Sequence, residues 1–345
     1  MGLKDEIFEQ PAILQGWLEN QRGHVETIAR AIRQRDIDFV FLAARGTSDH
    51  AGVYAQYVWG AINRLPVAFA APSLFTLYKG WPRLQRALVV GTSQSGQSPD
   101  VVSVLTEARR QGAPTLAITN APDSPLAQAA EFTLDIQAGV EKAVAATKTY
   151  TAELMAMAAL SAAMTDDEDH LAALQLIPAA VEEALGLASE AERIATANHA
   201  LSHCVVLGRG YNYCSAREWA LKLKELAYVF AEPYSTADFQ HGPLAIVEPR
   251  LPVLAIAPGG AVLPDLLALL RRLREDHGAE LFIISDDEAA TALGHTALRL
   301  SSRLPEWLTP LVYIVPAQLY CYYLTRAKGY DTEKPRSLNK VTRTR

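Results

Sequence analysis

The chain has 345 residues, of which 50% are hydrophobic and 20% are charged, and its formal net charge is −6. This composition is typical of one or two globular domains. A negative charge without any Lys/Arg-rich block argues against a nucleic-acid partner or a membrane-surface partner, so a small molecule is the expected ligand.

Short apolar segments alternate with helical patterns in the first half, which is typical of a parallel sheet flanked by helices. A helix is predicted over 100–110, where Val101, Leu105 and Ala108 form an apolar stripe. Helices over 147–164 and 170–198 connect the two halves. The apolar runs 154–164 and 311–324 are too short to span a bilayer and predict buried helices. Strands are predicted near 39–43, 67–70, 87–91, 115–119 and 132–136.

The second half repeats this plan at a fixed offset. Arg45-Gly46 follows the first strand of one half and Arg209-Gly210 follows the first strand of the other, and the same shift of 164 takes Gly96 to Gly260. We therefore expect two tandem α/β domains over 1–165 and 166–330, each a parallel five-stranded flavodoxin-like sheet, with a tail over 331–345. Strands of the second half are predicted near 204–207, 229–231, 253–257, 281–284 and 297–300.

A polar loop follows the third strand of the first half. Open α/β sheets bind ligands beyond the carboxyl ends of their strands, and a helix beginning near Pro99 would point unpaired N–H groups at the same place. The loop carries no lysine, so a small phosphate ester fits it better than a nucleotide. A Ser/Gly turn that only caps a helix is the alternative. The side chains that favour a phosphate cradle are Ser93, Gln94, Ser95 and Ser98, with Gly46, Thr47 and Ser48 in the loop after the first strand.

The matching loop of the second half, APGGAVLPD, has no hydroxyl. Only the first half is therefore expected to hold phosphate.

The segment 217–245 carries the candidate acid and base groups. Glu218, Lys222 and Glu225 fall at i, i+4 and i+7, so two carboxylates flank an ammonium on one helix face. A solvent-exposed ladder of ion pairs is the alternative, but the apolar neighbours favour a buried helix. His241 lies in a Gly/Pro loop, which suits a ligand-facing imidazole, although a structural or surface histidine is the alternative.

The cysteines and the amino terminus indicate the compartment. Cys204, Cys214 and Cys321 show no metal-like spacing and form no even disulfide set, which favours a reducing, cytoplasmic protein without a metal. The segment MGLKDEIFEQP carries three acidic residues and no apolar core, so no signal peptide is expected. No cofactor is indicated.

Together these motifs resemble the sugar isomerase (SIS) domain pair of glucosamine-6-phosphate synthase. The likeness covers nearly the whole chain in order, including EIFEQP at 6–11. It is carried by GTS at 46–48, TSQSGQSPD at 92–100, AATKTYTAEL at 145–154, ALKLKELAY at 220–228, HGPLA at 241–245 and KPRSLNKVT at 334–342.

The resemblance implies a hexose 6-phosphate ligand and roles for individual residues. It implies that the polar loop with Ser93, Gln94, Ser95 and Ser98 binds the phosphate with help from Ser48. It also implies that Glu218 and Lys222 lie on the active-site helix. It implies that Glu225 moves a proton between C1 and C2, that His241 opens the sugar ring, and that Lys340 reaches the carbonyl and can form a Schiff base. It also implies substrate contacts by Val144 and Asn339, and a homodimer with a shared active site.

The chain departs from the family pattern at several places. Ala146 stands where the family usually has serine, and Gln97 replaces a common glutamate. The chain opens with Met1-Gly2, without the glutaminase domain of the synthase, so we expect conversion of glucosamine 6-phosphate and water to fructose 6-phosphate and ammonia. The alternatives are a fructosamine-6-phosphate deglycase, a plain phosphosugar isomerase, synthesis from ammonia that a separate glutaminase supplies, and a non-catalytic sugar-phosphate-binding regulator.

Overall fold

The computed structural model describes residues 2–165 and 167–340. The strands in these ranges are β1 Phe39–Ala43, β2 Val67–Phe69, β3 Ala87–Thr92, β4 Thr115–Thr119, β5 Phe132–Asp135, β6 His203–Gly208, β7 Phe230–Ser235, β8 Pro252–Ile256, β9 Glu280–Ser285 and β10 Thr296–Arg299. The α-helices are α1 Leu3–Phe8, α2 Gln10–Arg33, α3 Gly46–Ala61, α4 Ser73–Thr76, α5 Pro99–Arg110, α6 Pro125–Ala129, α7 Lys148–Thr165, α8 Glu168–Ala173, α9 Ile177–Leu185, α10 Ala188–Ala197, α11 Tyr213–Ala227, α12 Thr236–Gln240, α13 Leu263–Glu275, α14 Glu288–Leu293 and α15 Thr309–Ala327.

The chain forms two compact units. Unit N comprises Ala12–Glu141, Lys148–Gln175 and Asn339–Arg345, and unit C comprises Met1–Pro11, Lys142–Thr147 and Leu176–Leu338. Residues 2–11 and the segment 142–147 therefore belong with the second sheet, whereas Asn339 and Lys340 belong with the first.

The sheet of unit N has the strand order β2-β1-β3-β4-β5, and all neighbouring strands are parallel. All six residues of the central strand β3 are buried, as expected for a parallel strand covered by helices on both faces. A core cluster joins Phe41 and Val89 of the sheet to Val101 and Leu105 of α5. The apolar stripe predicted for 100–110 is thus the face that packs on the sheet.

The sheet of unit C has the order β10-β9-β8-β6-β7, also entirely parallel, which is the same order when its strands are counted from its own first strand. The predicted α/β fold with two parallel five-stranded sheets is confirmed. The offset of 164 holds in the backbone as well, since Gly46 and Gly210 have φ of 55° and 57°. Arg45 and Arg209 before them are extended, with φ/ψ of −142°/151° and −148°/155°.

The helix predicted over 170–198 is wrong as a single element. It consists of α8, a 3₁₀ turn at Leu174–Leu176, α9 and α10. Pro178 lies in the first turn of α9, where its ring cannot follow a continuing helix, and Gly186 follows the end of α9. The helix predicted over 147–164 is confirmed as α7.

Within the described residues, no single helix is both long enough and apolar enough to cross a membrane. One bent pair, Glu168–Leu185 with Ala188–Ala197, satisfies the same requirement by length and composition alone.

Candidate active site

The residues predicted to bind phosphate lie in unit N, at the point in the sheet where the strand order reverses. β1 and β3 are neighbours, with Ala43 beside Gly91, and the chain continues outward from β1 to β2 and from β3 to β4. The carboxyl ends of these two strands lead into the amino termini of α3 and α5. Such a point is where open α/β sheets bind ligands, and helix amino termini favour anions.

Gly46, Thr47 and Ser48 do not form a loop, which corrects the expectation from the sequence. They are the first turn of α3, and only Ala44 and Arg45 separate that turn from β1. The chain can enter the helix so soon because Gly46 adopts φ of 55°, a conformation that disfavours other residues. The first N–H groups of α3 therefore face the strand end.

The loop over 93–98 presents hydrogen-bond donors without protein acceptors. Within the described residues, the backbone N–H groups of Gln94, Ser95 and Ser98 donate to no protein atom. Ser98 is the N-cap of α5 but its hydroxyl makes no capping bond, and Ser93 is 6% exposed. Gly96, at φ of 60°, closes the loop against Ser124. The loop therefore has the geometry of an anion cradle.

Four charged residues that the sequence did not assign to the site form contacts at this end of unit N. The Ser48 hydroxyl donates to Oε1 of Glu153 at 2.8 Å, so in this arrangement Ser48 can only accept a hydrogen bond from a ligand. Arg45 pairs with the buried Asp100 at 2.7 Å, which brings a guanidinium to the first turn of α5. The fourth of these charged residues is Glu141, which contacts Lys340.

Lys340 is fixed in unit N by Glu141. Its Nζ donates to Oε2 of Glu141 at 2.6 Å, and the carboxylate also accepts from the backbone N–H and the hydroxyl of Thr149, at 3.2 and 2.8 Å. The side chain of Glu141 is fully buried, whereas that of Lys340 is 25% exposed. The tail lysine thus has a defined partner, while Asn339 beside it is exposed.

The matching loop of unit C is filled by the protein's own carboxylates. The N–H of Gly259 donates to Asp286 at 2.7 Å, and the N–H of Ala261 donates to Glu306 at 2.6 Å. Two carboxylates at this position would repel a phosphate and already satisfy the N–H groups that it would need.

Unit C instead holds the charged cluster predicted on one helix face. On α11, Nζ of Lys222 lies 3.2 Å from Oε1 of Glu218 and 2.6 Å from Oε2 of Glu225. Lys222 and Glu218 are buried, which excludes the alternative of a solvent-exposed ladder. Burial alone would lower the pKa of Lys222, but the two carboxylates outweigh it and raise that pKa above its ordinary value. Lys222 is therefore cationic at neutral pH.

Glu225 and His241 are the accessible titratable side chains among those predicted in unit C. The Glu225 side chain is 23% exposed and contacts Lys222 through one oxygen, while within the described residues its other oxygen accepts no hydrogen bond. His241 follows the last residue of α12 and is exposed. Its ring makes no hydrogen bond to any of the residues that the structure describes. Gly242 after it has φ of 133°, which turns the chain sharply.

Val144 belongs to a segment of unit C that α1 fixes. The buried carboxylate of Glu6 accepts the backbone N–H groups of Lys142 and Ala143. Gln10 in turn donates to Gln318 of α15 at 2.9 Å. The segment EIFEQP thus has a local structural purpose, and Val144 itself is partly buried.

The cysteine thiols are unsuited to nucleophilic chemistry. All three are buried, and burial raises the pKa of Cys204 to about 12 and that of Cys321 well above its ordinary value. Within residues 2–165 and 167–340, no group of three or more His, Cys, Asp or Glu side chains is arranged to hold a metal ion.

The protein-family model of the SIS domain matches the sequence at residues 35–163 and 200–326, which contain the two parallel sheets with their helices. The chain belongs to the SIS domain family. It is 33% identical over 345 residues to the glutamine–fructose-6-phosphate aminotransferase (isomerizing) of Legionella pneumophila. That match covers 97% of this SIS chain and 57% of the relative, so the chain spans somewhat more than half of the length of the curated relatives it matches.

Two solved structures have the same fold as this chain. A candidate phosphosugar isomerase from Silicibacter pomeroyi is 35% identical, with a TM-score of 0.87 over 96% of this chain and 100% of that one. The glucosamine-6-phosphate deaminase of Thermotoga maritima has a TM-score of 0.79 over 99% of each chain, and its 22% identity shows a common fold alone.

Proposed function

We propose that this SIS protein moves a proton between C1 and C2 of a hexose 6-phosphate, and that it converts glucosamine 6-phosphate and water to fructose 6-phosphate and ammonia. The observation that carries the proposal is the Glu218–Lys222–Glu225 cluster, in which Glu218 and Lys222 are buried, because within the described residues one carboxylate oxygen of the more accessible Glu225 accepts no hydrogen bond and lies beside the positively charged Lys222. A carboxylate held in this way is suited to act as a general base.

The cradle of unit N supplies the site for the phosphate group. Its unpaired N–H groups at Gln94, Ser95 and Ser98 match the acceptor oxygens of a phosphate dianion. Ser48, whose donor is used on Glu153, is better suited to accept a hydrogen bond from a sugar hydroxyl than to donate to the phosphate. The resemblance implies that Ser48 helps to bind the phosphate, whereas in this proposal Ser48 accepts a hydrogen bond from a sugar hydroxyl instead.

The proposed reaction begins when the imidazole of His241 transfers the protons that open the sugar ring. Glu225 then removes the C2 proton and returns it to C1, while the C1 oxygen gains a proton and the amine nitrogen loses one, so that the C1 aldehyde becomes a hydroxymethyl group and the C2 amine becomes an imine. Water adds to C2, ammonia leaves, and the ketose phosphate remains. Lys222 stabilises the negative charge that develops during proton transfer, and Lys340 binds the C1 carbonyl oxygen.

The relatives support the substrate class. The aminotransferase name refers to fructose 6-phosphate and to isomerisation, and proton transfer between C1 and C2 is the chemistry that the Glu225 cluster suits. We propose ammonia release rather than aminosugar synthesis because ammonia release requires only water and the sugar phosphate, whereas synthesis also requires an amine donor. We further propose a cytoplasmic homodimer with a shared active site, which gel filtration with light scattering would test.

The test is ammonia release from a panel of aminosugar 6-phosphates. For Glu225→Gln we expect a loss of roughly 10²–10⁴-fold in kcat, the usual contribution of a positioned general base. Glu232→Gln is the matched control because Glu232 also faces a lysine, Lys224, at 3.6 Å but is more exposed. If Glu225→Gln retained the activity of Glu232→Gln, Glu225 would not be the base. A ketose phosphate formed from a neutral aldose 6-phosphate without any ammonia release from the panel would identify a plain isomerase instead.

A further inference from the structure

An aromatic clamp, formed by Tyr228, Tyr330 and Arg336, lies in unit C. The guanidinium carbon of Arg336 is 4.3 Å from the ring centre of Tyr228 and 5.0 Å from that of Tyr330, and the two rings are 4.8 Å apart. The backbone N–H of Arg336 also donates to the hydroxyl of Tyr228 at 2.9 Å. Arg336 is thus held by both its side chain and its backbone.

The clamp is attached to the helix that carries the charged cluster. Tyr228 caps α11 three residues after Glu225, in a left-handed conformation with φ of 54° and ψ of 36°. Its backbone N–H donates to the carbonyl of Leu223. A bulky residue in this conformation is costly unless its surroundings impose it, so the position of the Tyr228 ring is strongly determined by the end of α11.

The chain on either side of Arg336 is also constrained. Glu333 accepts the N–H of Leu3 at the start of α1, at 3.0 and 3.2 Å to its two oxygens. Ser337, immediately after the clamp, is left-handed with φ of 57°. The path of the chain therefore turns at a defined point and in a defined direction just before the tail that carries Lys340.

We infer that Arg336 is a positioning residue for Lys340, and that Tyr228 and Tyr330 hold it in place. Lys340 follows Arg336 by four residues, so their Cα atoms are at most about 14 Å apart. The point where the chain leaves the clamp therefore limits where the Cα of Lys340 can lie, and with it the reach of the lysine amine. Arginine suits this task because its planar guanidinium stacks on aromatic rings, which a lysine ammonium cannot do. The inference rests on the proposed function, in which Lys340 meets the sugar carbonyl.

The first experiment measures amide hydrogen exchange at residue 336, which requires no turnover. Each cation–π contact at an exposed site contributes a factor of roughly 2 to 5, so Arg336→Ala should accelerate this exchange about tenfold, and Arg336→Lys should give a smaller acceleration. Arg326→Ala is the matched control, because Arg326 stacks on Tyr322 at 5.9 Å on α15, away from the tail. Equal exchange in Arg336→Ala and Arg326→Ala would overturn the clamp.

The second experiment asks whether Arg336 acts through Lys340. Arg336→Ala should lower kcat for ammonia release about tenfold, in line with the exchange result, and leave KM within about twofold. In a Lys340→Ala background the same substitution should have no further effect on kcat, because coupled residues are not additive. An undiminished tenfold effect in that background, or an unchanged kcat in the single variant, would overturn the positioning role. If the wild-type chain releases no ammonia, the proposed function fails, and the exchange measurement alone decides whether the clamp holds the tail.

Discussion

Replacing Gly96 by alanine tests the phosphate cradle directly. A Cβ at this position would lie 2.0 Å from Oγ and 2.5 Å from Cβ of Ser124, and the residue has φ of 60°. Two costs follow: about 1–2 kcal/mol for a left-handed alanine and about 1–3 kcal/mol for overpacking against Ser124. Since Ser124 caps α6 and cannot move freely, we expect the loop to distort.

Gly112→Ala separates these two costs. Gly112 follows the other end of α5 and has φ of 79°, but a methyl group added there would meet no other atom within 4 Å, so its alanine variant carries the conformational cost alone. The free energy of unfolding of Gly96→Ala, measured in urea, should therefore be about 1–3 kcal/mol below that of Gly112→Ala. Titration calorimetry with inorganic phosphate should show binding to Gly112→Ala and to wild type, and little or none to Gly96→Ala. Equal stability and equal phosphate affinity of the two variants would refute the cradle geometry.

Two further predictions concern the buried cluster. Lys222→Met should lower the free energy of unfolding by about 3–5 kcal/mol, because it leaves the carboxylate of Glu218 buried without its cation, and Glu218→Gln in the same chain should recover part of the loss in urea unfolding. Because the folded protein raises the pKa of Lys222, this contribution should be fully present below the ordinary lysine pKa of about 10.4 and decline as the pH rises above it. The stability difference between wild type and Lys222→Met, measured from pH 7 to 11, should therefore be flat up to about pH 10 and then fall. A difference that grows above pH 10 would contradict the assignment.

The fold and part of the site were predictable because they depend on local patterns. Ten strands follow from short apolar segments, and their repetition at a constant shift gives the second sheet from the first. The approach of Lys222 to Glu218 and Glu225 follows from helix periodicity alone. In each case the residues that matter are close in sequence or related by a constant offset.

The missed contacts join residues that are far apart in sequence. Glu141 and Lys340 are 199 positions apart, and Arg45 and Asp100 are 55 apart, so no periodic pattern relates them. The hydrogen bonds from 142–143 to Glu6 are of the same kind. These pairings depend on how the elements of each unit pack, and a single sequence carries no local signal for them.

The corresponding loops of the two sheets differ in what their backbone N–H groups contact, and this difference supports the proposed division of chemistry between the two units. In unit C the carboxylates of Asp286 and Glu306 satisfy the N–H groups of Gly259 and Ala261, so that loop is complete without a ligand and has negative charge beside it. In unit N the N–H of Gln97 donates to the hydroxyl of Ser95 at 3.3 Å, whereas the N–H groups of Gln94, Ser95 and Ser98 find no acceptor among the described residues and are left to water or to an anion. Gln94, Ser95 and Ser98 are only partly exposed, so the loop of unit N gains most from a ligand that brings several acceptor oxygens at once. A phosphate ester brings such oxygens on one anionic group, whereas the hydroxyl oxygens of a neutral sugar are uncharged and weaker acceptors.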